Sequence, residues 1–92
     1  MKLKDVIEKI DDFDDDSIIF MENLNDINSD TLIAYPEEND DGKKVSDGKH
    51  YFYLIEIFLI KEFIEDYLLS INYKPSISEV TQRVYDYSIN DA

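Results

Sequence analysis

Apolar residues at the start of the chain follow helical spacing. Their separations of three, one and three positions place them on one face of a helix that we expect to run from Leu3 to about Asp12. The stripe consists of Leu3, Val6, Ile7 and Ile10. The aspartates that follow repel one another and have low helix propensity. The helix is therefore predicted to stop near Phe13, whose ring is expected to fold back onto the core.

Two short segments have the composition of β-strands. Residues 17–21 and 31–35 are rich in β-branched and aromatic side chains and are bounded by polar residues. The connection from Asn23 to Asp30 contains three asparagines and two aspartates, which is typical of turns. A short antiparallel pair of strands is therefore predicted.

Residues 36–49 are predicted to form an exposed, flexible loop. The segment holds one of the two prolines, both glycines and a single aliphatic side chain, that of Val45. Proline and glycine interrupt regular structure, and little in this segment can join a core.

Residues 51–72 allow two interpretations. The segment is mostly apolar as far as Ile60 and amphipathic afterwards. As one helix of 22 residues it would be about 33 Å long at 1.5 Å per residue, which suits a central helix, and we favour this interpretation. In the competing interpretation, Tyr51–Phe58 form a third strand and the helix begins near Leu59, because the first part is rich in β-branched and aromatic residues.

The last segment has the features of a helix start. Ser76 and Glu79 match the capping box, in which the serine hydroxyl accepts from the backbone N–H of Glu79 while the Glu79 side chain reaches back. Pro75 closes the preceding element. An apolar stripe then predicts a helix from Ile77 to about Ser88.

These elements predict a small α+β domain. It has an N-terminal helix, a short antiparallel strand pair, a long central helix and a C-terminal helix. In the competing interpretation, a third strand precedes the central helix. The length of 92 residues suits one domain, residues 1–92, and leaves no room for two cores. Hydrophobic residues are 43% of the chain, which is enough for a core and argues against a disordered chain.

The charge of the chain lies almost entirely in its first half. There are 22 acidic and nine basic residues, a net charge of −13. Residues 5–41 hold 14 of the acidic residues and one basic residue, while the rest of the chain holds eight of each sign. Such a field attracts a basic protein over about a Debye length, roughly 8 Å at physiological salt.

Other classes of partner are not expected. Arg83 is the single arginine and the lysines are scattered, so no basic groove for nucleic acid forms. The longest apolar run, from Tyr51 to Ile60, contains Glu56 and is followed by charged residues, so no membrane span is expected.

Two acidic stretches are the first candidates for contact with a basic partner. If the partner is a nuclease, their carboxylates would stand where phosphates otherwise go and would pair with its lysines and arginines. The candidate residues are Asp11, Asp12, Asp14, Asp15, Asp16, Glu37, Glu38, Asp40 and Asp41. The alternative is that these charges only keep loops solvated.

Catalytic, metal and cofactor sites are not predicted. The chain has no cysteine and one histidine, His50, which excludes thiolate sites and zinc-binding histidine pairs. Glu56, among apolar residues, is interpreted as a carboxylate at the edge of a face and not as a catalytic acid. We expect no enzyme activity and no cofactor.

Part of the aspartate stretch matches a calcium loop only at its start. Asp12, Asp14 and Asp16 occupy the first three ligand positions of an EF-hand loop. Ser17 then stands where glycine is needed, and Asn23 where the last ligand, glutamate, is needed. A dedicated metal site is therefore not predicted.

Six of the seven tyrosines lie in the second half of the chain, where the net charge vanishes. Some are expected to line the core with their hydroxyls at its rim. If several faced outward on one side, they would form an apolar patch suited to a homodimer. A homodimeric structural or regulatory module is therefore an alternative function.

Three stretches resemble an uncharacterised family of small acidic bacterial domains, namely Leu3–Ile7, Asp16–Phe20 and Tyr51–Glu62. More broadly, the size and charge are similar to those of immunity proteins of contact-dependent growth inhibition systems. This resemblance implies a non-catalytic inhibitor that binds a cognate toxin domain in the cytoplasm, and it carries over no binding motif. A nucleic-acid-mimicking counter-defence protein is a further alternative, with the same charged face and a different target.

Overall fold

The computed structural model describes residues 1–37 and 42–91 and confirms the predicted α+β class. In chain order the elements are α1 Leu3–Glu8, a 3-10 helix Ile10–Asp12, β1 Ile18–Met21, β2 Thr31–Ala34, β3 Lys43–Ser46, β4 Lys49–Glu56, α2 Ile57–Ser70 and α3 Ile77–Asp91. The first two strands and the C-terminal helix lie where the sequence pattern places them, and the N-terminal helix begins at Leu3 as predicted but ends earlier, at Glu8.

The four strands form one antiparallel sheet in the order β2-β1-β4-β3. The predicted pairing of the first two strands is confirmed, with Ile18 opposite Ala34. On its other side β1 pairs with β4, and the register shifts between Ile19 and Phe20. This β-bulge brings Tyr53 and Glu56 to the same face of the sheet, although a spacing of three residues would put them on opposite faces of a regular strand.

The favoured prediction of one helix over residues 51–72 is wrong. Lys49–Glu56 is β4 and α2 begins at Ile57, so the competing interpretation is correct to within two residues. β4 pairs with both β1 and β3, and its β-branched and aromatic side chains pack in this sheet. The backbone N–H of Ile57 donates to the carbonyl of Ser17 at 3.0 Å, which ties the start of α2 to the segment before β1.

The prediction of a loop throughout residues 36–49 is wrong for Lys43–Ser46, which form β3, and for Lys49, the first residue of β4. Strand β3 pairs with the first half of β4, and Ser46 lies opposite Lys49. Asp47 and Gly48 close the hairpin with φ of 52° and 78°. Positive φ at both positions is what a type I′ turn requires. Residues 38–41 of the same predicted loop lie outside the described residues.

Replacing Gly48 by alanine is expected to lower the free energy of unfolding by about 1 kcal/mol. A Cβ at this position meets no atom within 4 Å, so the loss comes from backbone strain at positive φ and not from a clash. Urea denaturation followed by circular dichroism measures it. Asp47→Asn is the matched control, because asparagine adopts positive φ readily and should leave stability unchanged. Equal stability of Gly48→Ala and the wild type would contradict the assigned turn.

Apolar residues of all three α-helices pack on one face of the sheet. The main core is formed by Leu3, Val6, Ile7, Ile19, Met21, Leu54, Ile55, Ile57, Ile60, Val80 and Val84. The opposite face carries a smaller cluster around Phe20, with Ile18 and Tyr51 also buried. The ring of Phe20 meets that of Tyr53 edge to face, with centroids 6.3 Å apart. Since all four residues of β1 are buried, this strand joins the two clusters.

Of the two hydrogen bonds of the capping box predicted for α3, the one accepted by Ser76 is confirmed. Oγ of Ser76 accepts a hydrogen bond from the backbone N–H of Glu79 at 3.1 Å. The carboxylate of Glu79, predicted to reach back, instead accepts hydrogen bonds from the hydroxyls of Tyr67 and Tyr73. These hydrogen bonds hold the pKa of Glu79 below its ordinary value. They also join the C-terminal part of α2, and the segment after it, to the start of α3.

Candidate functional site

The aspartates after α1 lie on an exposed turn at one end of the sheet. We call Asp11, Asp12, Asp14, Asp15 and Asp16 the aspartate run. The predicted first helix is divided, because α1 ends at Glu8 and the first two members of the run belong to the 3-10 helix. Phe13 then packs against the main core, as predicted. All five aspartates are exposed.

The backbone of the aspartate run is held by local hydrogen bonds. The carbonyl of Asp14 accepts from the backbone N–H of Ser17 at 3.0 Å and from its hydroxyl at 2.5 Å. Oδ1 of Asp14 accepts from the backbone N–H of Asp16 at 3.0 Å, which is the side-chain turn that aspartate favours. Because Ser17 is buried, the turn is anchored to the interior.

Two side chains from distant parts of the chain reach the aspartate run. Tyr35, which follows β2, donates its hydroxyl to Oδ2 of Asp14 at 3.1 Å. Lys61 of α2 donates to Oδ1 of Asp15 at 2.6 Å and to the carbonyl of Phe13 at 2.9 Å. Sequence reasoning missed both residues, since they lie 21 and 46 positions from their aspartates and no local spacing marks them.

Asp14 presents a fixed negative charge. The backbone N–H of Asp16 and the hydroxyl of Tyr35 hold the pKa of the Asp14 carboxyl below its ordinary value. The same carboxylate raises the pKa of Tyr35, because an ionised phenol beside it would be repelled. At neutral pH, Asp14 is therefore ionised and Tyr35 keeps the proton that it donates.

Acidic residues at the other end of β1 are neutralised by lysines. Asp30 lies 3.3 Å from Nζ of Lys2, 3.5 Å from Nζ of Lys49 and 3.9 Å from the terminal amino group. Nζ of Lys49 is also 3.7 Å from Glu22. The hydrogen bond and charge of Lys2 lower the pKa of Asp30, and the charge of Glu22 raises the pKa of Lys49. The carboxylates of Asp30 and Glu22 therefore contribute little net field.

The negative field is therefore concentrated at the aspartate run. The five aspartates of the run and Lys61, which pairs with Asp15, together have a local balance of −4; Lys9, two positions before the run, is not counted in it. Within the part of the chain that the structure describes, the carboxylates of Asp11, Asp12 and Asp16 form no ion pair. The neutralised end lies about 10 Å away, the length of a four-residue strand at about 3.4 Å per residue.

The second predicted stretch is only partly described. Glu37 is exposed and lies two residues beyond Tyr35, within about 7 Å of it along the chain. Its carboxylate is 3.3 Å from Nζ of Lys44, which lies 5.7 Å above the ring of Phe20. Glu38, Asp40 and Asp41 lie outside the described residues. The candidate site therefore rests on the aspartate run, with Glu37 nearby.

The tyrosines of the second half point mostly inward. Tyr51 is buried, and four others are half-buried; they are Tyr53, Tyr67, Tyr85 and Tyr87. The hydroxyl of Tyr85 donates to the carbonyl of Leu24 at 2.5 Å, and that of Tyr53 to Glu56 at 2.6 Å. Burial and the hydrogen bond to Glu56 raise the pKa of Tyr53. Tyr73 alone among these six is exposed.

The other residues considered for catalysis or metal binding do not form a site in the described residues. His50 is exposed, and the half-buried Glu56 is held by Tyr53. Residues 1–37 and 42–91 contain no group of three histidine or acidic side chains that could hold a metal ion. No helix within the same ranges is long and apolar enough to cross a membrane.

Comparison of the chain with protein-family models, with curated proteins and with solved structures finds no match.

Proposed function

We propose that the protein acts by binding, as an acidic inhibitor that neutralises a basic protein toxin such as a nuclease. The observation that carries this proposal is the aspartate run, whose exposed carboxylates sit on a hydrogen-bonded turn with a local balance of −4. A fixed cluster of like charges is costly to the fold, because carboxylates at close range repel one another. A cationic surface on a partner would relieve that repulsion.

The arrangement suits recognition of a phosphate-binding surface. A nuclease holds its substrate with lysine and arginine side chains, and exposed carboxylates can form charge-assisted hydrogen bonds with the same groups. Because the turn is already ordered by Ser17, Tyr35 and Lys61, little conformational freedom is lost when a partner binds. The inhibitor would block access of nucleic acid without any catalytic step.

The resemblance to immunity proteins of contact-dependent growth inhibition systems supports the same function. In such systems the inhibitor acts in the cytoplasm and is encoded immediately downstream of its toxin. The proposed partner is therefore the toxin domain encoded directly upstream of this chain, the neighbouring toxic domain.

The test is inhibition of the neighbouring toxic domain by the purified protein. We expect an equimolar amount of this chain to abolish the nuclease activity, and we expect the association rate, measured by stopped-flow mixing, to fall as sodium chloride is raised. A domain that remains fully active in the presence of the protein would refute the proposal. Binding that is insensitive to salt would refute the role of the charge.

A further inference from the structure

An apolar groove lies between the helices. Its walls come from α1, the 3-10 helix, α2, the segment after α2 and α3, and its volume is about 330 Å³. Its apolar lining includes Ile10, Ile64, Leu68, Ile77 and Val80, and Lys74 is the one charged residue among the lining residues. This volume falls in the range of clefts that hold ligand or partner groups.

The groove is open to solvent although its lining, apart from Lys74, is apolar. Leu68 is 46% exposed, and Ile10, Ile64 and Ile77 are only half-buried. A contiguous apolar surface that the fold leaves uncovered marks a binding surface more often than scattered apolar residues do.

One end of the groove continues into the aspartate run. A neighbouring depression of about 400 Å³ shares Ile10, Ile64 and Leu68 with it and is bordered by Asp11, Lys61 and Glu65. The ammonium group of Lys61 is already engaged by Asp15 and by the carbonyl of Phe13. The charges left at this end are therefore carboxylates.

We propose that the groove receives the apolar side chains of an amphipathic segment from a basic protein partner, whose lysines and arginines meet Asp11, Glu65 and the rest of the aspartate run. This inference rests on the proposed function and adds the second half of the interface, an apolar anchor with a charged rim. A second copy of the chain is disfavoured as the occupant, because it would bring another net charge of −13 to the acidic end of the groove.

The probe is a synthetic amphipathic helix of leucine and lysine, about four turns long. Two companion peptides separate the contributions: one has serine in place of leucine and keeps the charge, and the other has glutamine in place of lysine and keeps the apolar face. Dissociation constants are measured by calorimetry. We expect the leucine and lysine peptide to bind more tightly than either companion.

Leu68→Asn is expected to weaken binding of the leucine and lysine peptide about tenfold or more, as the loss of one buried leucine contact implies. Leu69→Asn is the matched control, because Leu69 is adjacent on α2, is 79% exposed and does not line the groove. It should change the dissociation constant by less than about twofold. Thermal unfolding checks that both variants fold. In the wild type, methyl resonances of Ile10, Ile64 and Leu68 should shift with the peptide, and those of Leu69 should not.

Four outcomes would overturn the inference. If the serine peptide bound as tightly as the leucine and lysine peptide, and Leu68→Asn left its binding unchanged, the groove would not be the binding site. The charge-based function would be unaffected by that result. Equal binding of the glutamine peptide would remove the basic occupant. A homodimer in sedimentation that Leu68→Asn dissociates would make a second copy the occupant. Absence of binding by the leucine and lysine peptide would also overturn it.

Discussion

Neutralising three members of the aspartate run, with Asp14→Asn, Asp15→Asn and Asp16→Asn combined, is expected to slow association with the neighbouring toxic domain about tenfold or more at low salt. The local balance changes from −4 to −1, because two aspartates and Lys61 remain. Asparagine keeps a side-chain oxygen that can accept from the backbone N–H of residue 16, so the turn is preserved. Stopped-flow mixing across a salt series measures the rate, and its salt dependence should flatten.

The control changes the same number of charges elsewhere. Asp26, Asp47 and Asp86 are exposed aspartates outside the run, and the first two lie in turns at the neutralised end of the sheet. At physiological salt, where charges more than roughly 8 Å apart are largely screened, their replacement by asparagine should alter the rate by less than about threefold. If both triple variants slowed association equally, net charge alone would be responsible, and the position of the negative charges at the aspartate run would have no role in binding.

Phe20→Ala is expected to lower the free energy of unfolding by about 3–5 kcal/mol, a large share of the roughly 5–15 kcal/mol that holds a domain of this size together. Phe20 is fully buried and anchors the smaller cluster on the sheet face opposite the helices. Removing the ring leaves a cavity beside Tyr53 and takes away their edge-to-face contact. Since the chain has no tryptophan, circular dichroism in urea is the suitable measurement.

Phe58→Ala controls for the loss of an aromatic ring as such. Phe58 lies near the start of α2 and is 43% exposed, so its replacement should cost less than about 1 kcal/mol. If the two variants lost a similar free energy of unfolding, the Phe20 cluster would contribute no more to stability than an exposed side chain of α2.

The sequence alone determined the elements whose causes are local. The stripe from Leu3 to Ile10 predicts α1, and the two β-branched segments separated by asparagines and aspartates predict the β1 and β2 pair. Ser76 caps α3 as predicted, because its hydroxyl needs only the N–H three residues ahead. The Asp47 and Gly48 pair also carried local information, since two residues that adopt positive φ favour a hairpin, but the polar flanks of β3 concealed it.

Only the tertiary structure decided the features that depend on distant partners. Residues 49–56 have an apolar pattern that a helix or a strand can adopt, and they become a strand because β1 and β3 pair on either side.

The negative charge of residues 5–41 is apparent from the sequence. The division of this charge into a neutralised end and a free end is not apparent from the sequence. The lysines that pair with Asp30 and Glu22 are distant in the chain, at positions 2 and 49. Likewise Tyr35 and Lys61 reach the aspartate run from 21 and 46 residues away. The groove exists only where four separate helical segments meet. Local spacing reports which face of an element is apolar, but which faces and charges meet is settled by packing across the whole chain.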